Sequence, residues 1–185
     1  MLSDSDIRYE LNRGYLEINP IDSEGQIQPC SVDLRLSNQF LRYRHLDTVL
    51  YIDPLKEEIS KFMREECSVS NHPVVIRPGE FVLGSTVERV SIPDYLVGRV
   101  DGRSSIGRLG IIIHATAGFI DAGFEGTITL EISNLGKYPI ALTPGMRICQ
   151  ISFDRLETPS ARPYQGRYRC QSGPVASRLR DHDEL

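Results

Sequence analysis

A mainly β domain, a sandwich, jelly roll or small barrel with a few short helices, is predicted by three features of the sequence. Residues 127–133 alternate polar and apolar without a break, which sets Ile128, Leu130 and Ile132 on one face. From Pro73 onward the short apolar runs 74–76, 81–90 and 96–100 are divided by the turn pairs Pro78-Gly79 and Pro93-Asp94. Residues 140–142 and 147–153 then read as another pair of strands with Pro144-Gly145 between them. Turn signals roughly every 8–12 residues mark all-β architectures.

Other elements precede these. Ser3 followed by Asp6 has the form of a capping box, Ile7 and Leu11 share a helical face, and Gly14 stands where a helix would close. A short N-terminal helix is therefore predicted. Ser31-Val32-Asp33-Leu34-Arg35-Leu36 alternates strictly and predicts a half-buried strand. Asp53-Pro54 resembles an N-cap with proline at the first helical position, and Leu55, Ile59, Phe62 and Met63 follow at helical spacing. Those residues predict a helix packed over the sheet. Beyond Pro159 the chain is rich in Arg, Pro, Gly, Gln and Tyr and has no period. It is either a mobile tail or an arm that orders over a ligand or a neighbouring subunit. The expectation is a single domain over residues 1–185, with 160–185 as the arm.

Composition excludes several functions. Apolar residues make up 40% and charged residues 25%, the balance of a globular protein. No apolar run approaches the ~20 residues of a membrane span. A net charge of −4 argues against a nucleic-acid polymer as partner. A small anionic ligand would need arginines gathered at one place. Cys30, Cys67, Cys149 and Cys170 lie far apart with no C-x-x-C pair, and residues 1–4 lack the basic and apolar regions of a secretory signal. Reduced thiols in a cytoplasmic protein are expected.

The chemistry concentrates between Asp101 and Glu131. Arg103 and Arg108 flank Ser104, Ser105, Ile106 and Gly107, a loop that combines guanidinium forks, hydroxyls and close backbone approach. A phosphate site needs those three things. A glycine-bearing loop with solvated arginines is the alternative reading. Residues 114–126 follow, with small residues and glycines that let a flat ligand lie against the backbone, and with Phe119 and Phe124 to wall it off. The same stretch also reads as a glycine-rich hairpin with Asp121 in its turn. Glu131 shares the polar face of its strand with Thr127 and Thr129. On a half-exposed strand that face is ordinary, but in a pocket wall a carboxylate there can act as a base.

The run GRSSIGRLGIIIHATAGFIDAGFEGTITLE, residues 102–131, resembles the signature of the dCTP deaminases in the dUTPase-like superfamily. The resemblance spans nearly the whole chain. It includes residues 28–36, Pro78-Gly79-Glu80-Phe81, Pro144-Gly145-Met146, Pro163-Tyr164-Gln165-Gly166-Arg167-Tyr168 and Gln171. It implies a homotrimer of distorted β-barrels or jelly rolls with sites shared between subunits. It also implies zinc-independent hydrolysis of dCTP to dUTP and ammonia. In keeping with that, the chain has no H-x-E paired with P-C-x-x-C, the pattern of a zinc deaminase.

By the same resemblance Glu131 is the general base, Ser104 and the Ala117 carbonyl hold the attacking water, and Arg108 sits near Glu131. Arg103, Ser104, Ser105, Ile106, Gly107 and Arg108 form the substrate loop. Asp121 meets the deoxyribose, and Thr129, Leu130 and Glu131 lie beside the base. Gln150, Tyr164, Arg167 and Gln171 close over the triphosphate. The family usually has lysine where this chain has Arg167, and an arginine fork grips phosphate differently. Mg2+ is expected to arrive on the nucleotide, with no protein metal ligands, and dTTP is expected to act as a feedback inhibitor. His114 falls inside the match and is expected to be a satisfied structural residue.

The family divides between members that stop at dUTP and members that go on to dUMP and diphosphate. Residues 118–124 resemble the dUTPase motif in which an aspartate handles the attacking water. Gly118 is the small residue common where both steps occur, in place of a histidine. A dUTPase alone would need neither Glu131 nor Arg108 and usually carries a glycine-rich C-terminal motif, which residues 162–180 lack. A non-enzymatic jelly-roll binding protein would show no turnover.

Overall fold

The computed structural model describes residues 1–45, 51–70, 72–116 and 118–179. Helix α1 (Asp4–Asn12) opens as its capping box requires. Ser3 Oγ accepts from the Asp6 N–H at 3.2 Å, and the Asp6 carboxylate accepts from the Ser3 N–H at 3.0 Å. Ile7 is fully buried and Leu11 packs against the core. The helix is also held by charge, because the buried Glu10 carboxylate accepts from the Tyr95 hydroxyl and from Arg155, each at 2.6 Å.

That contact has a pH signature. Burial and the Glu10 carboxylate push the Tyr95 phenol up to about 12 from its ordinary 10. The neutral phenol is the form that bonds Glu10, so its contribution is complete below pH 10 and is lost as pH rises from 10 through 12. Tyr95→Phe is expected to flatten this alkaline loss, read as the difference between wild-type and variant melting curves from pH 8 to 12.

Strands β1 (Glu17–Asn19), β2 (Ile27–Gln28), β3 (Ser31–Arg35) and β4 (Gln39–Tyr43) follow, then β5 (Met63–Cys67), β6 (Val74–Ile76), β7 (Phe81–Ser91) and β8 (Leu96–Gly102). A one-turn helix α2 (Ser104–Gly107) precedes β9 (Ile111–Ile112), β10 (Phe119–Ile120), β11 (Glu125–Asn134), β12 (Ile140–Leu142) and β13 (Arg147–Arg155). One sheet runs β5-β4-β7-β11-β9, with β1 also against β7, and a second runs β10-β8-β13-β3-β2. The core takes Val82, Leu130 and Ile132 from the first sheet and Val32, Leu34, Ile151 and Phe153 from the second. This is a mainly β, dUTPase-like fold, as predicted. Among the described residues no helix is long and apolar enough to cross a membrane.

A bulge in β7 shapes the interior. Thr127 pairs with Arg89 but Thr129 pairs with Ser85, so two extra residues of β7 loop inward. Thr86 Oγ1 fills the gap, accepting from the Ile128 N–H at 3.0 Å. Because two extra residues leave the alternation in step, Glu88 stays on the inner face with Val82, Thr86 and Val90, at 0% exposure. There it accepts from Arg35 Nε at 2.6 Å, the Arg35 N–H at 2.8 Å and Gln26 Nε2 at 2.9 Å.

Three expectations need correction. The helix expected after Asp53-Pro54 is absent. Asp53 caps a turn, residues Ile59–Phe62 form a 3-10 helix, and Met63 begins β5. Ile59 and Met63 pack with Leu83 and Ala176 in a satellite cluster, while Leu55 stays 38% exposed, so the stripe never faces one surface. The strand from Ser31 is not half-buried, since residues 31–34 are all buried where β3 runs between β2 and β13. Finally, β12 and β13 are not paired with each other: β12 pairs β6, and β13 enters the second sheet between β8 and β3.

Residues 160–179 form an ordered strap. Cys170 N–H donates to the Glu125 carbonyl at 2.6 Å, the Thr127 N–H to the Gln171 carbonyl at 3.0 Å, and Val175 N–H to Thr129 Oγ1 at 3.3 Å. A Cβ on Gly126 would stand 3.0 Å from the Gln171 carbonyl oxygen, so the approach depends on glycine there.

Candidate active site

The alternation of β11 decides what faces where. Ile128, Leu130 and Ile132 are buried in the core, which leaves Thr127, Thr129, Glu131 and Ser133 on the other face. A cavity of about 490 Å3 opens on that face. Glu131 and Thr129 form one wall, Asp121 and Tyr164 another, and Phe119 and Phe124 supply flat apolar surface. Glu131 Oε2 accepts from the Ala115 N–H at 3.0 Å. The strap closes the remaining side with Tyr168, Gln171 and Val175.

Among the described residues, His114 Nδ1 and Gln171 Oε1, atoms of two residues that line this cavity, are buried without a hydrogen-bond partner. Sequence reading gave His114 a satisfied structural place, and the structure corrects this. The fold, not the spacing, brings Gly118 against it: a Cβ there would lie 2.6 Å from the His114 ring and 2.7 Å from the Val100 carbonyl oxygen. Glycine at 118 leaves the imidazole its place in the wall.

A second cavity, of about 580 Å3, holds the arginine–serine loop. Arg103, Ser104, Ser105 and Gly107 line it together with Gln150 on β13. Gln150 Oε1 accepts from Ser31 Oγ at 3.3 Å. Beneath them Asp33 is buried between Arg103 and Arg147, a residue that sequence reading did not single out. Burial pushes its carboxyl above the ordinary carboxylate range, while Arg103 and Arg147 pull the other way.

The expected site residues therefore fall into two groups in one chain. Asp121, Thr129, Glu131, Tyr164 and Gln171 share the first cavity, and Arg103, Ser104, Ser105, Gly107 and Gln150 share the second. Arg108, at the end of α2, is exposed and lines neither. The Ile106 and Leu130 side chains are buried in the core, so a ligand can meet only their backbone. Arg167 Nη1 donates to the Arg178 carbonyl at 3.1 Å, and Arg178 returns a bond to the Arg167 carbonyl. Ala117 lies outside the described residues. Among the described residues no three His, Cys, Asp or Glu side chains are grouped to hold a metal.

Comparison with known proteins joins these observations. The dCTP deaminase-like family matches residues 1–156. A Dictyoglomus thermophilum protein named dCTP deaminase, dUMP-forming, is 54% identical over 97% of this chain and 94% of its own length. A Haloarcula marismortui protein named dCTP deaminase is 48% identical over 100% of this chain and 97% of its own. In structure, the 2'-deoxycytidine 5'-triphosphate deaminase of Agrobacterium tumefaciens superposes with TM-score 0.64 at 26% identity. The match takes in 82% of this chain and 47% of that one, so this chain spans about half that protein's length. A dUTPase from phage phi11 of S. aureus shares the fold, with TM-score 0.50 at 15% identity. With the sequence, the fold and these relatives in agreement, the chain belongs to the dCTP deaminase family.

Proposed function

We propose that this protein hydrolyses the 4-amino group of dCTP with Glu131 as the general base, at a site completed between the subunits of a homotrimer. One observation carries the reading. Glu131 stands in a cavity wall with Thr129, Asp121 and Tyr164, its carboxylate held by the Ala115 N–H at 3.0 Å, where a cytosine ring could lie. Residues 1–185 then act as one domain, with the strap as its closing arm.

The chemistry follows from the residues. Glu131 takes a proton from water as the water oxygen bonds to C4, and passes it to the ring nitrogen. In the tetrahedral intermediate the C4 hydroxyl proton passes, through Glu131, to the amino group; the C4–N bond then breaks as C4=O forms, and ammonia leaves with dUTP. Ala115 N–H on one carboxylate oxygen fixes the base, so the lone pair that accepts the proton is held in place. Ser104 and the Ala117 carbonyl orient the water, and Arg108 of a neighbouring subunit helps to place Glu131. Ser104 and Arg108 are then supplied by a neighbouring subunit, in keeping with neither of them lining the Glu131 cavity within one chain. Arg103, Ser105 and Gln150 hold the triphosphate with Arg167 of the arm. Mg2+ enters as part of the nucleotide and keeps most of its waters. dTTP, which presents the same triphosphate and sugar, is the expected inhibitor.

A specific observation favours a second step at the same site, cleavage of dUTP to dUMP and diphosphate by water that Asp121 organises. Gly118 is present rather than a larger residue, and the Dictyoglomus thermophilum and Methanosphaera stadtmanae relatives, 54% and 49% identical, are both named dUMP-forming. Incubation with dCTP and Mg2+, followed by chromatographic separation of nucleotides, tests both. dUMP with diphosphate and no build-up of dUTP is the expected result. Accumulating dUTP would remove the second step, and unchanged dCTP would end the whole reading.

A further inference from the structure

We propose that Asp33 is a positioning residue for nucleotide phosphates, holding the Arg103 guanidinium in the one orientation that meets them. The inference rests on the proposed nucleotide site and adds to it a residue that does not touch the nucleotide. Asp33 lies on β3, and its side chain is 3% exposed. One carboxylate oxygen faces Arg103 Nε at 3.3 Å and the other faces Arg147 Nη1 at 3.3 Å. Arg103 Nη1 donates to the Arg147 carbonyl at 3.1 Å, and Arg147 Nη1 donates to the Gly25 carbonyl at 2.9 Å. Two of the three Arg103 nitrogens are thus tied to protein. The third, Nη2, is without a partner among the described residues and is left for the cavity lined by Ser104, Ser105 and Gln150.

The sign of the charge identifies the role. A carboxylate under an anion site repels the anion, so Asp33 lowers the attraction of the two guanidinium groups from two charges to one. A residue that weakens attraction is useful there only if it supplies order. An arginine on a flexible stem loses much rotamer freedom when it grips phosphate, and a buried partner that fixes the fork beforehand removes that loss from the binding step. Without the carboxylate the two like-charged guanidinium groups would also turn away from each other.

Charge and order therefore predict opposite outcomes for Asp33→Asn. Removing a negative charge should lower KM for dCTP if charge alone counts. If orientation counts, KM rises about tenfold while kcat stays within about twofold, as expected on loss of one buried charged contact. The same change in an Arg103→Lys background should then add nothing, because the fork it orients is already gone. Arg103→Lys alone keeps the charge and is expected to raise KM to a similar degree. It also decides the matter if Asp33→Asn does not fold. A KM at or below the wild-type value for Asp33→Asn, or for Arg103→Lys in that case, would overturn the proposal. A wild-type protein that leaves dCTP unchanged would instead overturn the nucleotide reading beneath it.

Discussion

Glu131→Gln leaves a folded protein that releases ammonia from dCTP about 10^2–10^4-fold more slowly, the contribution expected of a positioned general base. Glutamine has the same shape, and its amide oxygen can still accept from the Ala115 N–H, so the cavity and the strap stay in place. What is lost is the lone pair basic enough to take a proton from water. Nucleotide binding should survive, seen as an unchanged rise in melting temperature on adding dCTP. The variant also separates the two steps. If Asp121 organises the second water, Glu131→Gln fed with dUTP still yields dUMP. Ammonia release at the wild-type rate would remove Glu131 from the mechanism.

The largest effect on stability is expected at Arg35. Arg35→Met removes the guanidinium that pairs with Glu88, a carboxylate buried to 0% exposure in the interior. Gln26 Nε2 and the backbone N–H of residue 35 remain, two neutral donors for a full negative charge. Leaving a buried charge without its partner costs about 3–5 kcal/mol. For a chain of this size that corresponds to a fall of roughly 6–20 °C in melting temperature. Urea unfolding of wild type and variant measures it. A loss below about 1 kcal/mol would mean that water reaches Glu88 or that the interior relaxes around it.

The residues that carried most of the reading were those whose physics is local. Alternation in β11 gave both the core face and the face that carries Glu131, because side chains on a strand alternate whatever surrounds them. The same logic failed where tertiary pairing overrides local pattern. β4 and β5 went unseen because Gln39–Tyr43 sets Phe40 and Leu41 side by side and Met63–Cys67 is mostly charged; pairing of β4 with β7, and of β5 with β4, makes them strands. The bulge at Thr86 lies inside a run that reads as one unbroken strand; alternation from Val82 and Val90 puts Glu88 on the inner face, but nothing local announces Arg35 as its partner. Likewise, Asp33 meets Arg103 and Arg147 only because three strands of one sheet bring them together. The division of the site between two cavities is a property of the folded chain, and no spacing within a motif displays it.

The strap has a consequence apart from ligand. β11 is paired along its length with β7, but on its other side β9 covers only Ser133 and Asn134, and the strap covers Glu125 to Thr127. Without residues 160–179 the start of that strand would offer an open row of backbone donors and acceptors, the surface on which separate chains zip together. The segment proposed to close over the nucleotide is thus also a guard against self-association, and proteolytic trimming of it should make the protein self-associate.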